Sequence, residues 1–339
     1  MATESTELPA SAKMPALAPS VPRRISAARY VWTPIVVLAL FIPWFTNEYT
    51  QYVVTLMLVY ILVTVGFNLA IGHLGQLAFC NVAFFGIGAY ATAIPMARFG
   101  LPFWLALLPC AGAGALAGVL ASFPALRGIR ALYLAIMTLA FGELMRWLYI
   151  HAEGLTMGST GLPVPAASFF GLPLASAASK FYVFLALTVA VVLGTSNLLR
   201  SRIGRAIIAI KNNEAVAASL GIPTARYIVL AFAWSGVIVA LAGGMFAVLI
   251  GRVVPESFNL VELIQHFAMV MVGGFGSLSG SILGAVILTA APEAFRSMPG
   301  FEEVFLGALL VLILLFLPRG LISLLVRLIP PLEERYYRE

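Results

Sequence analysis

Apolar runs of about twenty residues recur along nearly the whole chain, separated by short polar or glycine- and proline-bearing breaks. Runs of that length predict membrane-spanning helices. A first covers about 30–45 and carries Pro34 and Pro43, which membrane helices tolerate better than soluble ones. Asn47 and Glu48 make a short turn, and a second span covers about 52–71. The polar run G-H-L-G-Q at 72–76 interrupts the pattern before a third span that ends near Ala97. A fourth ends near Phe123 and holds Gly114 and Gly118, a small-xxx-small pair suited to close helix packing. A fifth runs over about 131–150 and ends with Trp147 and Tyr149, placed as an interfacial aromatic belt. After a long Gly- and Pro-bearing loop at 151–180, a sixth covers about 181–199 and a seventh about 228–250. The eighth (about 261–272) and ninth (ending near Phe295) are short and joined by the glycine-rich turn G-G-F-G-S-L-S-G at 273–280. A last span covers about 304–317.

The pattern predicts an all-α polytopic membrane protein of about ten transmembrane helices with both termini cytoplasmic. The expected organisation is an N-terminal tail over 1–29, a transmembrane domain over 30–318 with a cytoplasmic loop at 200–227, and a C-terminal tail over 319–339. Residues 1–22, rich in Ala, Ser, Thr and Pro without periodicity, read as disordered. No small-residue cleavage site follows the first apolar run, which argues against a cleaved signal peptide.

The charges agree with this topology. Arg23, Arg24, Arg29, Arg127, Arg130, the arginines of 200–226 and those of the C-terminal tail all fall on the inner side, whereas the outer turns hold only Arg98, Lys180, Arg252 and Arg296. The net charge of +6 is therefore an orientation signal. It is not a nucleic-acid footprint, because the arginines lie at the ends of apolar runs.

Composition narrows the chemistry. The chain is 61% apolar and 10% charged, with a mean hydropathy of +1.01, and every acidic residue is glutamate. The lack of aspartate removes an aspartyl nucleophile and any Asp-based metal site. Lysine occurs only at Lys13, Lys180 and Lys211, none after a glycine-rich loop of the kind that cradles phosphates, so the chain has no P-loop of its own. Cys80 and Cys110 fall in apolar runs and read as small packing residues. His73, His151 and His266 have no second ligand at metal-binding spacing. No G-x-S-x-G stretch and no nucleophile–base set is present, so an intramembrane hydrolase is disfavoured.

One polar stretch stands apart. Residues 200–227 read R-S-R-I-G-R-A-I-I-A-I-K-N-N-E-A-V-A-A-S-L-G-I-P-T-A-R-Y. Ile203, Ile207 and Ile210 recur at helical spacing, so a short helix there has one apolar face. A second turn starts near Asn213 and Glu214 and stops at Gly221-Ile222-Pro223. Ala215, Ala217 and Ala218 let another surface come close. The stretch fits either a docking site for a cytoplasmic partner or an ordinary positive-inside loop.

Within the spans, 72–76 is either a helix broken inside the membrane or a tight cytoplasmic turn. In the first case Gly72, Gly75, the Gln76 amide and Asn81 border a pathway, because half-helix N-termini face anionic groups in transporters. Gly86, Gly88 and Tyr90 on the following turns either face that pathway or let helices approach. Glu143 and Arg146, three apart, can pair as a structural ion pair or as a substrate or gating contact. Glu262 and His266, four apart, read as interfacial.

Four blocks in order resemble the permease subunits of branched-chain amino-acid ABC importers, in particular the LivM-type subunit. They are G-H-L-G-Q-L-A-F-C-N-V-A-F-F-G-I-G-A-Y at 72–90; L-R-G-I-R-A-L-Y-L-A-I-M-T-L-A-F-G-E-L at 126–144 with L-T-M-G-S-T-G-L at 155–162; the 200–227 stretch with A-F-A-W-S-G-V-I-V-A-L-A-G-G at 231–244; and M-V-M-V-G-G-F-G-S-L-S-G-S-I-L-G-A at 269–285. The resemblance implies an ABC importer permease fold in the bacterial inner membrane and a transport subunit rather than an enzyme. The expected solutes are branched-chain amino acids. The implied partners are a LivH-type permease, two cytoplasmic ATPase subunits that bind ATP and Mg, and an external solute-binding protein. This chain itself is expected to bind no cofactor. The 200–227 stretch becomes the coupling helix that docks on the ATPase, with Arg205, Glu214, Ala217, Ala218 and Gly221 on the family pattern. The chain departs from that pattern at Ala78-Phe79-Cys80-Asn81, where a Ser-x-Gly-His-like run is usual, and at Ile228, where a lysine is common. The first departure leaves urea, short amides and other small solutes open. From a different class, an ion-coupled secondary transporter working without an ATPase would have Glu143, Glu262 and Glu293 for coupling.

Overall fold

The computed structural model describes residues 37–128, 132–169, 171–174, 176–294, 307, 311, 315 and 320–323. The tail at 1–29, the start of the first predicted span, most of the last predicted span and most of the C-terminal tail lie outside the described residues.

A helix over 37–45 (α1) precedes α2 (Glu48–Asn68), which runs on into a π-helical turn, Leu69–His73. There follow α3 (Asn81–Phe99), α4 (Phe103–Leu126), α5 (Leu132–His151), a single turn α6 (Glu153–Thr156), α7 (Ala177–Arg200), α8 (Arg202–Asn212), α9 (Glu214–Ser219), α10 (Thr224–Ile250), α11 (Leu260–Gly273) and α12 (Leu278–Ala294). Six of these are long and apolar enough to cross a membrane: α2 with its π turn, α3, α4, α5, α7 and α10. α11 has 14 residues and α12 has 17. At about 1.5 Å per residue α11 falls short of a hydrocarbon core of about 30 Å, while α12 stands at the short end of the range that spans one.

Among the described residues the architecture is helical apart from two pairs of two-residue strands in the loops. β1 (Leu162–Pro163) pairs antiparallel with β4 (Arg252–Val253), and β2 (Ser168–Phe169) with β3 (Leu172–Pro173). The loop after α5 is too rich in Gly and Pro to continue a helix, so its backbone groups find partners in these ladders. Val164 N–H also donates to Gly251 O at 2.9 Å, which fastens the loop to the end of α10.

Burial follows the apolar pattern. α2 is apolar on every side, and 83% of its spanning window is buried, so it runs through the middle of the bundle. α10 is its central neighbour. α4, α5 and α7, each buried over about a third of the span, form the outer layer. Between membrane helices there is little hydrophobic drive, so close contact depends on small residues. A Cβ on Gly114 or Gly118 of α4 would run into the α10 backbone at Gly236 and Phe232, and one on Gly88 of α3 into Ala240. Ser235 of α10 donates to Gly66 O of α2 at 2.7 Å, and the Cys110 thiol of α4 donates to Ala240 O at 3.1 Å. The block 231–244 thus serves as a smooth rail on which α2, α3 and α4 pack.

Three sequence expectations change. Tyr149 is no belt residue: it is buried and donates to Ala83 O at 3.0 Å, while Trp147 stays exposed. His266 is not interfacial but fully buried, because α11 lies against α2, α3 and α12. Helix α2 also starts earlier than predicted, at Glu48, directly after the extended Asn47.

Candidate functional site

The 200–227 stretch folds as two short helices at an elbow. Ser201 accepts from Ile203 N–H at 3.1 Å and caps α8; Asn213 ends α8 and, in extended conformation, accepts from Val216 N–H at 3.1 Å to cap α9. Such caps stabilise by about 1 kcal/mol each. The apolar face holds: Ile207 and Ile210 are buried against the bundle. At the far end Gly221 has φ +81°, its N–H donates to Ala218 O (3.0 Å), and Ile222 N–H donates to Ala217 O (3.1 Å). This paired closure satisfies the last carbonyls and needs a left-handed residue, hence glycine.

Ala217 is buried, whereas Ala218 and Arg205 are exposed and Glu214 begins α9 half-buried. Arg205 Nη1 donates to Arg200 O at 3.4 Å. Val216 on α9 and Leu220, which caps its C-terminal end, are exposed at 52% and 76%. Sequence reasoning passed over this apolar pair; its signal was the four-residue spacing opposite Ala217.

The second group of residues lies inside the bundle. The chain between the π turn and α3 (74–80) is not helical, and it leads to a buried helix start at Asn81. No side chain caps that start. Phe79 N–H donates to Thr138 of α5 at 2.8 Å. Asn81 Nδ2 lies 3.1 Å from His266 Nδ1; His266 Nε2 lies 3.2 Å from Glu262 Oε1; and the Tyr60 hydroxyl donates to Glu262 Oε1 at 2.8 Å. A polar chain therefore crosses from α3 through α11 to α2.

Aromatic rings close around it. His266 stands edge-on to Phe85 (5.5 Å between centroids), Tyr90 lies 4.8 Å from Tyr149, and Phe258 touches Phe85, Tyr90 and Tyr149. Asn81 Oδ1 and the Tyr90 hydroxyl are buried without a hydrogen-bond partner among the described residues. Gly86 lies under the Tyr149 ring.

Gly86 and Tyr90, one turn apart on α3, share the face against Tyr149, whereas Asn81 at the start of the helix turns to His266 of α11. Gly88 points elsewhere, against α10. Gly72, Gly75 and Gln76 lie at the end of the bundle that carries α8: a Cβ on Gly75 (φ +76°) would sit 2.9 Å from Lys211 Cγ, and Gln76 N–H donates to Ala70 O at 3.1 Å. Glu143 is separate again. It pairs with Arg146 at 2.9 Å on the outward face of α5, with side chains 48% and 40% exposed. Tyr60, Asn68, Tyr149, Phe258 and His266 were not among the predicted site residues, and Glu262 was named only as a coupling carboxylate for a secondary transporter. The polar residues Asn68, Glu262 and His266 inside apolar helices were the available signal.

Among the described residues no three His, Cys or Glu side chains converge on a possible metal position. The arrangement offers hydrogen bonds, a carboxylate and aromatic faces in a packed interior, which suits recognition of a small polar molecule better than bond-making chemistry.

Comparison with known proteins adds to this. The family described as branched-chain amino acid transport system / permease component matches residues 49–314. The high-affinity branched-chain amino acid transport system permease protein LivM of Escherichia coli (strain K12) is 34% identical over 315 residues, which cover 86% of this chain and 74% of that protein. LivH of Salmonella typhimurium, the permease protein of a system with the same description, is 26% identical over 296 residues, 80% of this chain and 93% of its own length. The autoinducer 2 import system permease protein LsrC of Klebsiella pneumoniae is 33% identical over 209 residues, 59% of this chain and 56% of that protein.

Proposed function

The chain belongs to the branched-chain amino acid transport permease family, and from that membership we propose that it is the LivM-type half of an ATP-driven importer of branched-chain amino acids. It is a transport subunit rather than an enzyme. Its partners in this reading are a LivH-type permease, two cytoplasmic ATPase subunits that bind ATP and Mg, and an external solute-binding protein. The assembly sits in the bacterial inner membrane, and this chain contributes about ten spans with both termini cytoplasmic.

The observation that carries the reading is the elbow of α8 and α9, capped at Ser201 and Asn213 and closed at Gly221, on a chain whose family match spans 49–314. A docking element needs a fixed shape and an unsatisfied surface. The elbow has both: its inner face is held by Ile207 and Ile210, and Val216 and Leu220 stand exposed at its tip. Arg205, Glu214, Ala217, Ala218 and Gly221 form the ATPase-coupling surface in this proposal.

In this proposal the solute route passes Asn81, Gly86 and Tyr90, with Glu143 on the outward face of α5; Gly72 is packed against Asn68 and Gly276, Gly88 against Ala240, and Gly75 and Gln76 lie at the α8 end, so these four support the helices around it. The exposed Glu143–Arg146 pair supports a wet or protein-covered face on α5, since an ionisable group facing lipid near the bilayer centre costs about 2.5–3.5 kcal/mol on insertion scales. The similarity to an autoinducer 2 permease supports a second reading, in which the same machinery carries another small solute; urea and short amides enter that reading from the departure at 78–81 alone.

The test is reconstitution with the partner subunits in proteoliposomes. Leucine, isoleucine or valine uptake that requires ATP and the binding protein is expected. Uptake that persists without ATP and collapses with the membrane potential would place the chain among solitary ion-coupled transporters.

A further inference from the structure

Two turns meet the end of α8. The turn that follows the π-helical end of α2 and the turn that follows α11 both come up to Lys211, the exposed basic residue in the last turn of α8, through Gly75 and Gly276. The Lys211 stem lies over Gly75. A Cβ on Gly276 would stand 3.2 Å from Gly72 O and 3.5 Å from Lys211 Nζ. Both turns touched by Lys211 use left-handed glycines, Gly75 and Gly276, each at φ +76°. A cation is favourable here, because helix C-termini present carbonyl groups and the negative end of the helix dipole.

Beneath this contact the two turns are stapled by one side chain. Asn68 Nδ2 lies within hydrogen-bonding distance of Gly274 O (3.3 Å), Ser277 O (2.9 Å) and Ser281 Oγ (2.7 Å), and Asn68 Oδ1 accepts from Gly276 N–H at 2.9 Å. The backbone oxygen of Asn68 faces His73 Nδ1 at 3.2 Å across the π turn. Gly72 is packed so closely that any Cβ would overlap Asn68 Oδ1 and Gly276 N. The α11–α12 turn cannot shift without the end of α2. Further along, α11 carries His266 and Glu262, which hold Asn81 and Tyr60.

We propose that Lys211 and Asn68 are positioning residues that transmit movement of the coupling element α8 through the paired turns 72–76 and 273–280 to the polar chain at Asn81. The inference rests on the importer reading above. In this proposal the element that changes is the π turn Leu69–His73: a π turn carries one residue more than an α turn, such turns recur at functional sites, and its relaxation to an α turn would rotate Asn68 against the 273–280 turn. Lys211 reports the position of α8 to that turn; Asn68 carries it to α11.

The experiment measures ATP hydrolysis and leucine uptake together in proteoliposomes holding the full importer. Lys211→Ala is expected to co-purify with the ATPase at the wild-type level and to hydrolyse ATP normally. Its solute transported per ATP is expected to fall about fivefold or more, the lower end of ordinary coupling strengths. Lys211→Arg, which keeps the stem and the charge, is expected to restore the ratio. An unchanged ratio in Lys211→Ala overturns the proposal. So does loss of the ATPase from the complex, because Lys211 is then a docking contact. If the wild-type assembly itself shows no ATP-driven uptake, the importer reading fails and this inference with it.

Discussion

Single residues carry the tightest constraints in this molecule. Asn68 is the last residue of α2, where that apolar helix passes into the π turn, and has its amide engaged on both sides. Hydrogen bonds between membrane helices average about 0.6 kcal/mol each, so Asn68→Leu is expected to lower stability by about 2 kcal/mol, read as a lower midpoint in thermal unfolding in detergent. The glycines divide sharply. Gly236 faces the Gly114 backbone, whereas Gly112 on the same helix as Gly114 has open space where a Cβ would go. Gly236→Leu is expected to cost about 1–3 kcal/mol or more through overpacking, and Gly112→Ala to be neutral or slightly stabilising in the same assay. A sequence alone does not separate these glycines, since both stand in apolar helices with small neighbours.

At the scale of elements, the short helices are the legible ones. The isoleucine spacing and the stop at Gly221 are written locally, and α8 and α9 fold as that pattern predicts. Asn213 is the hinge, ending one helix and capping the next. Asn213→Ala removes a cap of about 1 kcal/mol and is expected to loosen α9. Leu220→Ser leaves the fold unchanged and removes the exposed apolar tip. Both are expected to lower recovery of the ATPase in pull-downs, the second more strongly, and wild-type recovery in Leu220→Ser would remove α9 from the docking surface. The loop between α5 and α7 was less legible. Its two-residue strand pairs depend on partners far along the chain, such as Leu162 with Val253, and no local periodicity announces them.

For the whole molecule the question is which faces meet lipid, water or protein. The Glu143–Arg146 pair lies on the outward side of α5, and its two charges suit neither lipid nor a dry core. Glu143→Gln alone leaves Arg146 without its carboxylate and is expected to reduce both membrane yield and uptake. The double change Glu143→Gln with Arg146→Gln is expected to recover yield but not uptake, if α5 faces the solute route; recovery of both makes the pair purely structural. The topology has its own check: cysteines at Arg98 and Arg252 are expected to react with an impermeant reagent added outside, and one at Arg205 only from inside.

The sequence by itself determined what depends on local pattern and composition: six of the spans, from α2 to α10, the polar breaks at 72–76 and 273–280, the elbow at 200–227, the Glu143–Arg146 pairing and the family. These are short-range properties, since hydropathy, helical spacing and capping are decided within a few turns. Only the tertiary structure decided which polar residues meet. Asn68 and Ser281 are 213 positions apart, and Asn81 and His266 are 185 apart. Tyr149 and His266, assigned to the membrane boundary by their place in the chain, are buried because neighbouring helices cover them. An apolar helix carries little information about which of its faces will be covered, as lipid and protein interior are nearly the same solvent to a leucine. The small residues and rare polar groups settle the packing, and their partners exist only once the helices are side by side.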